Sequence, residues 1–242
     1  LGLGVFALAF LGWRRRGEPG QPVKVPVALA LLIVFQALLG MWTVTLKLKP
    51  VIVMAHLLGG LTTLSLLWWL VLETSGKARA GAISVMRKLA PLALVILIVQ
   101  IALGGWTSAN YAALACPDFP TCQGAWVPEA DYNEGFVLWR GIGIDYEGGV
   151  LEHPARVAIH FVHRVGAVMA TLVLLLAALL AFRNGIRAAA IAVFLALAAQ
   201  VAIGITMVKG GLPLGLATAH NAVAALLLLS VVTLNHRCWR SR

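Results

Sequence analysis

Seven long apolar runs dominate this sequence and limit what it can fold into. Each run is continuously hydrophobic instead of alternating between apolar and polar residues, which excludes the strands of a transmembrane barrel. Six runs reach about 20 residues, the length that a helix needs to cross the hydrocarbon core of a bilayer. The first run is shorter and has the character of the end of a longer helix. The runs span 1–13, 25–46, 51–72, 89–109, 157–182, 188–208 and 213–234.

The scarcity of charge excludes the soluble alternatives. Only 12% of the 242 residues are charged, about half the share found in soluble domains. A surface with so few charged groups is not solvated well enough for a soluble globular or a disordered protein. We therefore predict an all-α, polytopic transmembrane helix bundle whose main partner is the lipid bilayer.

The loops between the runs predict the orientation of the bundle. The net charge of +10 does not indicate a nucleic-acid-binding protein, because the basic residues lie in short groups between apolar runs. Thirteen of the 19 Lys and Arg residues follow the first, third, fifth and seventh runs, accompanied only by Glu18 and Glu73. The other loops carry five basic and seven acidic residues. The positive-inside rule therefore places the C-terminus in the cytoplasm and the long loop 110–155 on the outer face.

The outward loop contains two of the three cysteines. Cys116 and Cys122 are six residues apart, with Pro117 and Pro120 between them. An oxidising compartment favours a disulfide over two free thiols, and no neighbouring histidine supports a metal site. We expect the disulfide to pin the loop as a lid. Cys238 lies in the cytoplasmic tail, where we expect an inert free thiol, and we expect the nearby His236 to be solvated.

A Gln-x-x-x-Gly pattern recurs near the outer ends of three runs. It begins at Gln36, Gln100 and Gln200. His56 follows Gln36 by 20 residues, and His220 follows Gln200 by the same number. The second and third runs therefore repeat as the sixth and seventh, in the same membrane direction. The repeat predicts two four-helix halves.

These halves are residues 1–88 and residues 89–242, the second of which includes the outward loop. The first half has one helix fewer than the second and begins at Leu1 within an apolar run. We therefore expect the chain to be truncated at its N-terminus. The complete bundle would then have eight helices, of which seven are present here, with the first incomplete.

Ionisable residues inside apolar runs are costly and indicate function. His56, His163 and His220 lie at similar depths in runs of the same direction, on the order of 10 Å below the outer surface. A flat layer of imidazoles suits a planar cofactor held from opposite sides, and imidazole is a common axial ligand of haem iron. His160 lies on the same helix face as His163. We favour His163 as the ligand because Arg164 follows it and can pair with a haem propionate.

Four segments resemble the haem A synthase family of cytochrome oxidase assembly, and the resemblance runs over essentially the whole chain. They are VMAHLLGG around His56, GGWTSANYAALACPDFPTCQGAW with Cys116 and Cys122, IHFVHRVGA around His163, and ATAHNAVAALL around His220.

The resemblance implies an oxidoreductase with two haem sites. The C-terminal half would hold a haem b cofactor through His163 and His220, and the N-terminal half would hold haem O as the substrate through His56. The family oxidises the C8 methyl of haem O to a formyl group by successive hydroxylations. A second substrate-side histidine and an assisting glutamate belong to a Glu-x-x-His-Arg segment, which we expect upstream of Leu1. The catalytic residues are therefore not assigned, and we expect the chain as given to be inactive.

The resemblance also implies a bacterial inner membrane location and a partner enzyme that produces haem O. The electron donor, the oxygen source and the oligomeric state, including a homo-oligomer, remain open at this point. The main alternative is a bis-histidine membrane cytochrome b that transfers electrons without modifying haem. A transporter or assembly scaffold fits the parallel repeat but leaves the layer of histidines unexplained.

Overall fold

A computed structural model of the chain describes residues 1–75 and 84–238. Within those ranges the chain is helical, and the only strand-like pairing is an isolated bridge between Cys122 and Ala125. The helices are α1 (Gly2–Arg14), α2 (Lys24–Thr45), α3 (Pro50–Thr74), α4 (Ser84–Ala109), α5 (Tyr132–Gly135), α6 (His153–Arg183), α7 (Arg187–Lys209) and α8 (Leu214–Cys238).

The predicted all-α membrane bundle is confirmed, since six of these helices are long and apolar enough to cross a bilayer. The seven apolar runs correspond to α1–α4 and α6–α8, and α5 is a single additional turn in the outward loop. Four basic residues that contribute to the orientation argument lie outside the described ranges. These are Lys77, Arg79, Arg240 and Arg242.

Three helix ends lie four or five residues beyond the apolar runs. The fourth run is predicted to begin at residue 89, but α4 begins at Ser84. The fifth run is predicted to begin at residue 157, but α6 begins at His153 with Pro154 in its first turn, where proline is favoured because it needs no hydrogen-bond donor. The seventh run is predicted to end at 234, but α8 continues to Cys238. All three extensions contain polar residues, so hydropathy alone does not detect them.

Four helices form a closed ring in the C-terminal half. α4 packs against α6, α6 against α7, α7 against α8, and α8 against α4. In the N-terminal half α1 packs against α2 and α2 against α3, and α3 joins the two halves by contacting both α4 and α8. We call the end with the α6–α7 turn the inner end, and the end with the segment 110–152 the outer end.

The ring is packed most extensively toward its inner end, while α4 and α6 also bury Trp106 and Ile159 toward the outer end. Its largest buried cluster consists of residues from all four ring helices, and many of them are alanines, such as Ala90, Ala93, Ala177 and Ala190. Small side chains allow helix backbones to approach closely in a membrane. This cluster therefore fixes the helices at one end and leaves their outer halves to line a site.

The prediction that His236 is solvated is wrong. Because α8 extends to Cys238, it carries the His236 ring into the protein, where the residue is only 3% exposed. Its Nε2 lies 3.2 Å from Oε2 of Glu73, and its ring meets Trp69 edge-on. Cys238 is a free thiol as expected, but it too is buried. The inner ends of α3 and α8 are thus joined by polar contacts.

The outward loop reaches from the C-terminal half over the α2–α3 hairpin. The Tyr146 N–H donates to the Lys47 carbonyl at 3.1 Å, and the Lys47 ammonium lies 3.9 Å from Asp145. Lys49 is 2% exposed, its ammonium lies 3.3 Å from the centre of the Trp139 ring, and it donates to the Gly141 carbonyl. The loop is therefore a folded strap across both halves.

Candidate functional site

Each Gln-x-x-x-Gly segment faces a histidine on the membrane-spanning helix that follows it. We call these arrangements the Gln-Gly-His units, and the chain has three of them in the described residues. They are Gln36, Gly40 and His56 on α2 and α3; Gln100, Gly104 and His163 on α4 and α6; and Gln200, Gly204 and His220 on α7 and α8.

The glycine of each unit is a seat for the imidazole. A Cβ atom on Gly40 would lie 3.3 Å from Cε1 of His56, and one on Gly104 would lie 3.2 Å from Cε1 of His163. A Cβ atom on Gly204 would lie 3.0 Å from Cε1 of His220. These distances are shorter than ordinary van der Waals contact. Only glycine allows the ring to lie flat against the neighbouring helix.

The three seats lie at the same depth. Gly40, Gly104 and Gly204 each precede the last residue of their helix by five positions, since those helices end at Thr45, Ala109 and Lys209. At the helical rise this is about 7.5 Å below the outer helix ends. The histidines that rest on these seats therefore form a layer near the outer end.

The glutamines contact the histidines in different ways. Gln100 donates from Nε2 to the His163 carbonyl at 3.1 Å, and the same nitrogen lies 3.1 Å from Nδ1 of the His163 ring. Gln200 Nε2 lies 3.1 Å from Nε2 of the His220 ring. Gln36 donates only to the backbone carbonyl of His56, at 2.9 Å. The ring is thus held in two units and not held in the third.

The residue three positions after each histidine explains part of this difference. Gly59 and Gly166 occupy that position in the first two units, and a Cβ on either would overlap the amide oxygen of the glutamine. The glycine lets the amide reach the backbone of the next helix. Val223 occupies the position in the third unit, where the glutamine contacts the ring alone.

His163 and His220 lie on opposite helices of the ring. α6 and α8 each pack against α4 and α7, which lie between them. Adjacent helix axes are about 8–10 Å apart, so opposite axes of a four-membered ring are about 11–14 Å apart. That extra width suits two imidazoles that bond one metal at about 2 Å each.

The outer half of the ring fits a haem between these histidines. α8 has eight buried residues from Leu227 to Cys238 and none from Leu214 to Leu226, and no residue of α7 beyond Leu197 is buried. Nδ1 of His220 is buried without a hydrogen-bond partner among the described residues, as are the amide oxygens of Gln100 and Gln200. Imidazole donors among apolar helices suit a planar metal cofactor.

His160 serves the outward loop instead of the layer. It is 3% exposed, its Nδ1 lies 3.3 Å from the Cys116 amide nitrogen, and its Nε2 lies 3.2 Å from Nε of Arg164. Both ring nitrogens therefore face protein donors, and a neutral ring accepts one of them at a time. This contact pattern favours His163 over His160 as the candidate ligand.

Arg164 ties the loop to α6. Its Nη1 donates to the carbonyls of Asp118 and Thr121 at 2.8 Å each, and its Nη2 donates to the Cys116 carbonyl at 2.6 Å. With the contact to His160, these bonds occupy four of the five N–H groups of a guanidinium. One N–H group is left for another acceptor.

The predicted disulfide is confirmed. Cys116 and Cys122 are bonded, with 4.7 Å between their Cα atoms. The enclosed turn is organised by the Asp118 carboxylate, which accepts from the Thr121 hydroxyl at 2.5 Å and from the amides of Gln123 and Gly124 at 2.7 and 3.0 Å. The Thr121 hydroxyl is the main reason that the pKa of Asp118 falls from 3.8 to about 2.

Comparison with known proteins identifies the family of the chain. The COX15-CtaA family, described as cytochrome oxidase assembly protein, matches residues 1–232. The chain belongs to this family. Among its relatives it is 46% identical over 243 residues to the haem A synthase of Shewanella oneidensis and 30% identical over 248 residues to that of Sphingopyxis alaskensis. It is 27% identical over 245 residues to that of Halalkalibacterium halodurans.

These COX15-CtaA relatives are longer than the chain. The alignments cover 99%, 98% and 96% of the chain and 73%, 65% and 73% of the respective relatives. The chain thus corresponds to between about two thirds and three quarters of each relative's length. Family membership covers both halves of the bundle and all three Gln-Gly-His units, because residues 1–232 are included.

Two features of this COX15-CtaA chain were missed by sequence reasoning. The Gln-x-x-x-Gly repeat is visible in the sequence, but its meaning as an imidazole seat is not, because it depends on how each helix is rotated about its axis. A signal was available, because a Gln-x-x-x-Gly segment also lies on the helix before His163. The separation between Gln100 and His163 is 63 residues, since the outward loop intervenes. The binding of Arg164 to the loop carbonyls has no sequence signal.

Proposed function

We propose that this protein is a haem A synthase, which oxidises haem O to haem A for cytochrome c oxidase biogenesis. The observation that carries the proposal is the layer of three seated histidines in a chain of the COX15-CtaA family. Two of the histidines lie on opposite helices of a closed ring, and the third lies in the other half. This arrangement supports one cofactor site and one separate substrate site.

In this proposal His163 and His220 hold haem b within residues 89–242. When bound there, haem b supplies one-electron transfer. The chain's own contribution is to orient two imidazoles from opposite helices and to surround the site with apolar side chains. The inner cluster holds the four helices in place, and the outward loop closes the outer end.

The substrate site belongs to residues 1–88 in this proposal. His56 would hold haem O through its imidazole, from the same depth as the proposed cofactor ligands. Nδ1 of His56 is buried without a partner, so this ring has hydrogen-bonding and ligating capacity that no described residue uses. The strap formed by Lys49, Trp139 and Gly141 crosses the outer end of the α2–α3 hairpin.

Arg164 contributes to the cofactor site through its remaining N–H group. We propose that this group binds a haem b propionate while three others donate to carbonyls of the disulfide loop and the fourth contacts His160. A guanidinium suits this double role because its donors are fixed in one plane. The Cys116–Cys122 loop then acts as a lid at the cofactor edge.

The proposal places the chain in the bacterial inner membrane, with its C-terminus in the cytoplasm and the outward loop in the periplasm. Haem O is apolar enough to arrive through the bilayer from the enzyme that makes it. The confirmed disulfide supports this orientation, because disulfides persist on the oxidising side.

Pigment extraction tests the function. The protein is expressed from its complete gene in cells that make haem O, purified, and its haems are extracted and identified. We expect haem b with haem O or haem A in the parent protein, loss of haem b in His163→Ala and His220→Ala, and retained haem b without haem A in His56→Ala. His153→Ala is the matched control, because that histidine contacts Gln123 in the outward loop.

Each other outcome contradicts the proposal. Haem b alone in the parent protein, with no haem O or haem A, would indicate the electron-transferring cytochrome b. Absence of any haem would exclude both functions. Haem A formation in His56→Ala would show that the substrate site lies elsewhere.

A further inference from the structure

A groove between α6 and α7 lies on the membrane-facing surface of the ring, at its inner end. We propose that this groove binds one anionic phospholipid, with an acyl chain between the two helices and the phosphate on Arg183 and Arg187. The site lies at the opposite end of the ring from the seated histidines. The inference therefore does not rest on the proposed function.

The groove has a floor of small side chains and walls of large apolar ones. Ala178 of α6 and Ala190 of α7 are 5% and 2% exposed, whereas Leu179, Ile191 and Phe194 are exposed. The alanines therefore form the floor. The volume of the groove is about 400 Å³, within the range of about 300–1,000 Å³ that is typical of small-molecule sites. An apolar groove of this size, open to the membrane, suits a flexible hydrocarbon chain.

The groove follows α6 to the inner end of the helix. Its α6 side is lined by residues from Leu175 to Phe182 at spacings of three or four, which lie on one helix face. This face extends for about 10 Å along the helix axis, and Phe182 is the residue before Arg183, where α6 ends. The groove thus runs from the apolar span to the helix end, in the direction that an acyl chain takes from its headgroup.

An arginine lies at the inner mouth of the groove. The guanidinium carbon of Arg187 lies 5.7 Å from the centre of the Phe182 ring, and Phe182 lines the groove. Arg183 is the last residue of α6, Arg187 is the first residue of α7, and both are exposed. The two guanidinium groups therefore flank the short turn at which the groove ends.

The charge of this turn is not neutralised within the two helices. Residues 153–209, which include α6, the turn and α7, contain no Asp or Glu. A guanidinium binds phosphate through parallel N–H donors, and basic residues beside a groove between membrane helices are typical of sites for anionic headgroups. The uncompensated positive charge next to an apolar groove thus complements an anionic headgroup that is joined to an acyl chain.

The α1–α2 turn at the same end of the bundle offers a matched control. The guanidinium carbon of Arg14 lies 5.8 Å from the centre of the Phe10 ring, much as Arg187 lies over Phe182. Phe10 does not line the α6–α7 groove. Arg14 therefore combines a similar charge and a similar ring contact with a different place on the surface.

Lipid titration followed by native mass spectrometry tests the inference. The protein from the complete gene is purified in detergent and titrated with phosphatidylglycerol or with phosphatidylcholine that carries the same acyl chains. We expect the parent protein to bind one phosphatidylglycerol more tightly than phosphatidylcholine. The affinity for phosphatidylglycerol should fall about 5-fold in Arg187→Gln and about 30-fold when Arg183→Gln is added. Arg14→Gln should bind it with the parent affinity.

Further measurements separate the headgroup from the acyl chain. Arg187→Lys keeps the positive charge at the inner mouth, so it should keep the preference for phosphatidylglycerol. Glycerol phosphate carries a phosphate without acyl chains, so it should not displace the lipid. A phosphatidylglycerol with a photoactivatable diazirine in its acyl chain should label the peptides that contain Leu179 and Phe194.

Each other result would overturn the proposal. Equal affinity of the parent protein for the two lipids, or equal losses in Arg14→Gln and Arg187→Gln, would show that this turn does not select a headgroup. Loss of the preference in Arg187→Lys would exclude charge as its cause. Labelling confined to helices other than α6 and α7 would place the lipid elsewhere, and cross-links from the groove to a second copy of the chain would identify a protein interface instead.

Discussion

At the scale of single residues, the glycines that contact the histidine rings predict the effect of adding one methyl group. In Gly104→Ala and Gly204→Ala the new Cβ would lie 3.2 and 3.0 Å from Cε1 of the seated histidine, so the ring must move by a few tenths of an ångström. We expect both variants to lose most of the six-coordinate low-spin absorbance of haem b at unchanged protein yield. Gly215→Ala is the control, because a Cβ there meets nothing within 4 Å; equal absorbance in all three would refute the seat.

The stability of the disulfide loop should depend on pH through the carboxylate of Asp118. Its hydrogen bonds lower the pKa of Asp118 from 3.8 to about 2, so its contribution to loop stability is fully present above pH 4. That contribution is lost as the pH falls toward 2, where the carboxylate becomes protonated. We expect the reduction of Cys116–Cys122 by a water-soluble phosphine to accelerate over this range. Asp118→Asn should be reduced faster than the parent protein at pH 7, and an unchanged rate would argue against the carboxylate.

At the scale of elements, the strap over the α2–α3 hairpin depends on a buried lysine. Lys49 contacts the Trp139 ring and the Gly141 carbonyl, whereas Lys47 forms an exposed ion pair with Asp145. A cation–π contact is worth about 0.5–2 kcal/mol, and an exposed ion pair about 0–1 kcal/mol. Lys49→Met should therefore open the strap and increase its proteolysis about 2- to 30-fold. Lys47→Met is the control, and equal cleavage of the two variants would contradict the role of burial.

The elements also show why hydropathy predicted helices better than helix ends. The membrane requires a long apolar stretch, so every spanning helix leaves a signal in the sequence. The first turn of α6 and the last turn of α8 instead contain His153, Pro154, His236 and Arg237, which a hydropathy pattern assigns to loops. Their helical state comes from tertiary contacts, such as that between His236 and Glu73.

At the scale of the whole molecule, the sequence predicted candidate site residues more fully than their surroundings. A histidine inside an apolar run is conspicuous because burial of an ionisable group is costly, so the sequence pointed to His56, His163 and His220 as candidate ligands. Their seats, the contacts that separate His160 from His163, and the burial of Lys49 depend on helix rotation and on the path of the loop. Neither quantity is encoded in composition or spacing.

The orientation of the whole bundle gives the last prediction. Three membrane-spanning helices, α6, α7 and α8, follow the outward loop, so the loop and the C-terminus must lie on opposite sides. The inverted orientation would place 13 basic residues outside, where the loops are expected to hold only five, against the positive-inside bias. Alkaline phosphatase, which is active only in the periplasm, reports the side of a fusion. We expect activity for a fusion after residue 211 and none for fusions after residue 184 or after Arg242. A fluorescent protein that matures only in the cytoplasm should give the reverse pattern. Phosphatase activity of the fusion after Arg242 would show that the bundle has the opposite orientation, with the disulfide loop on the reducing, cytoplasmic side.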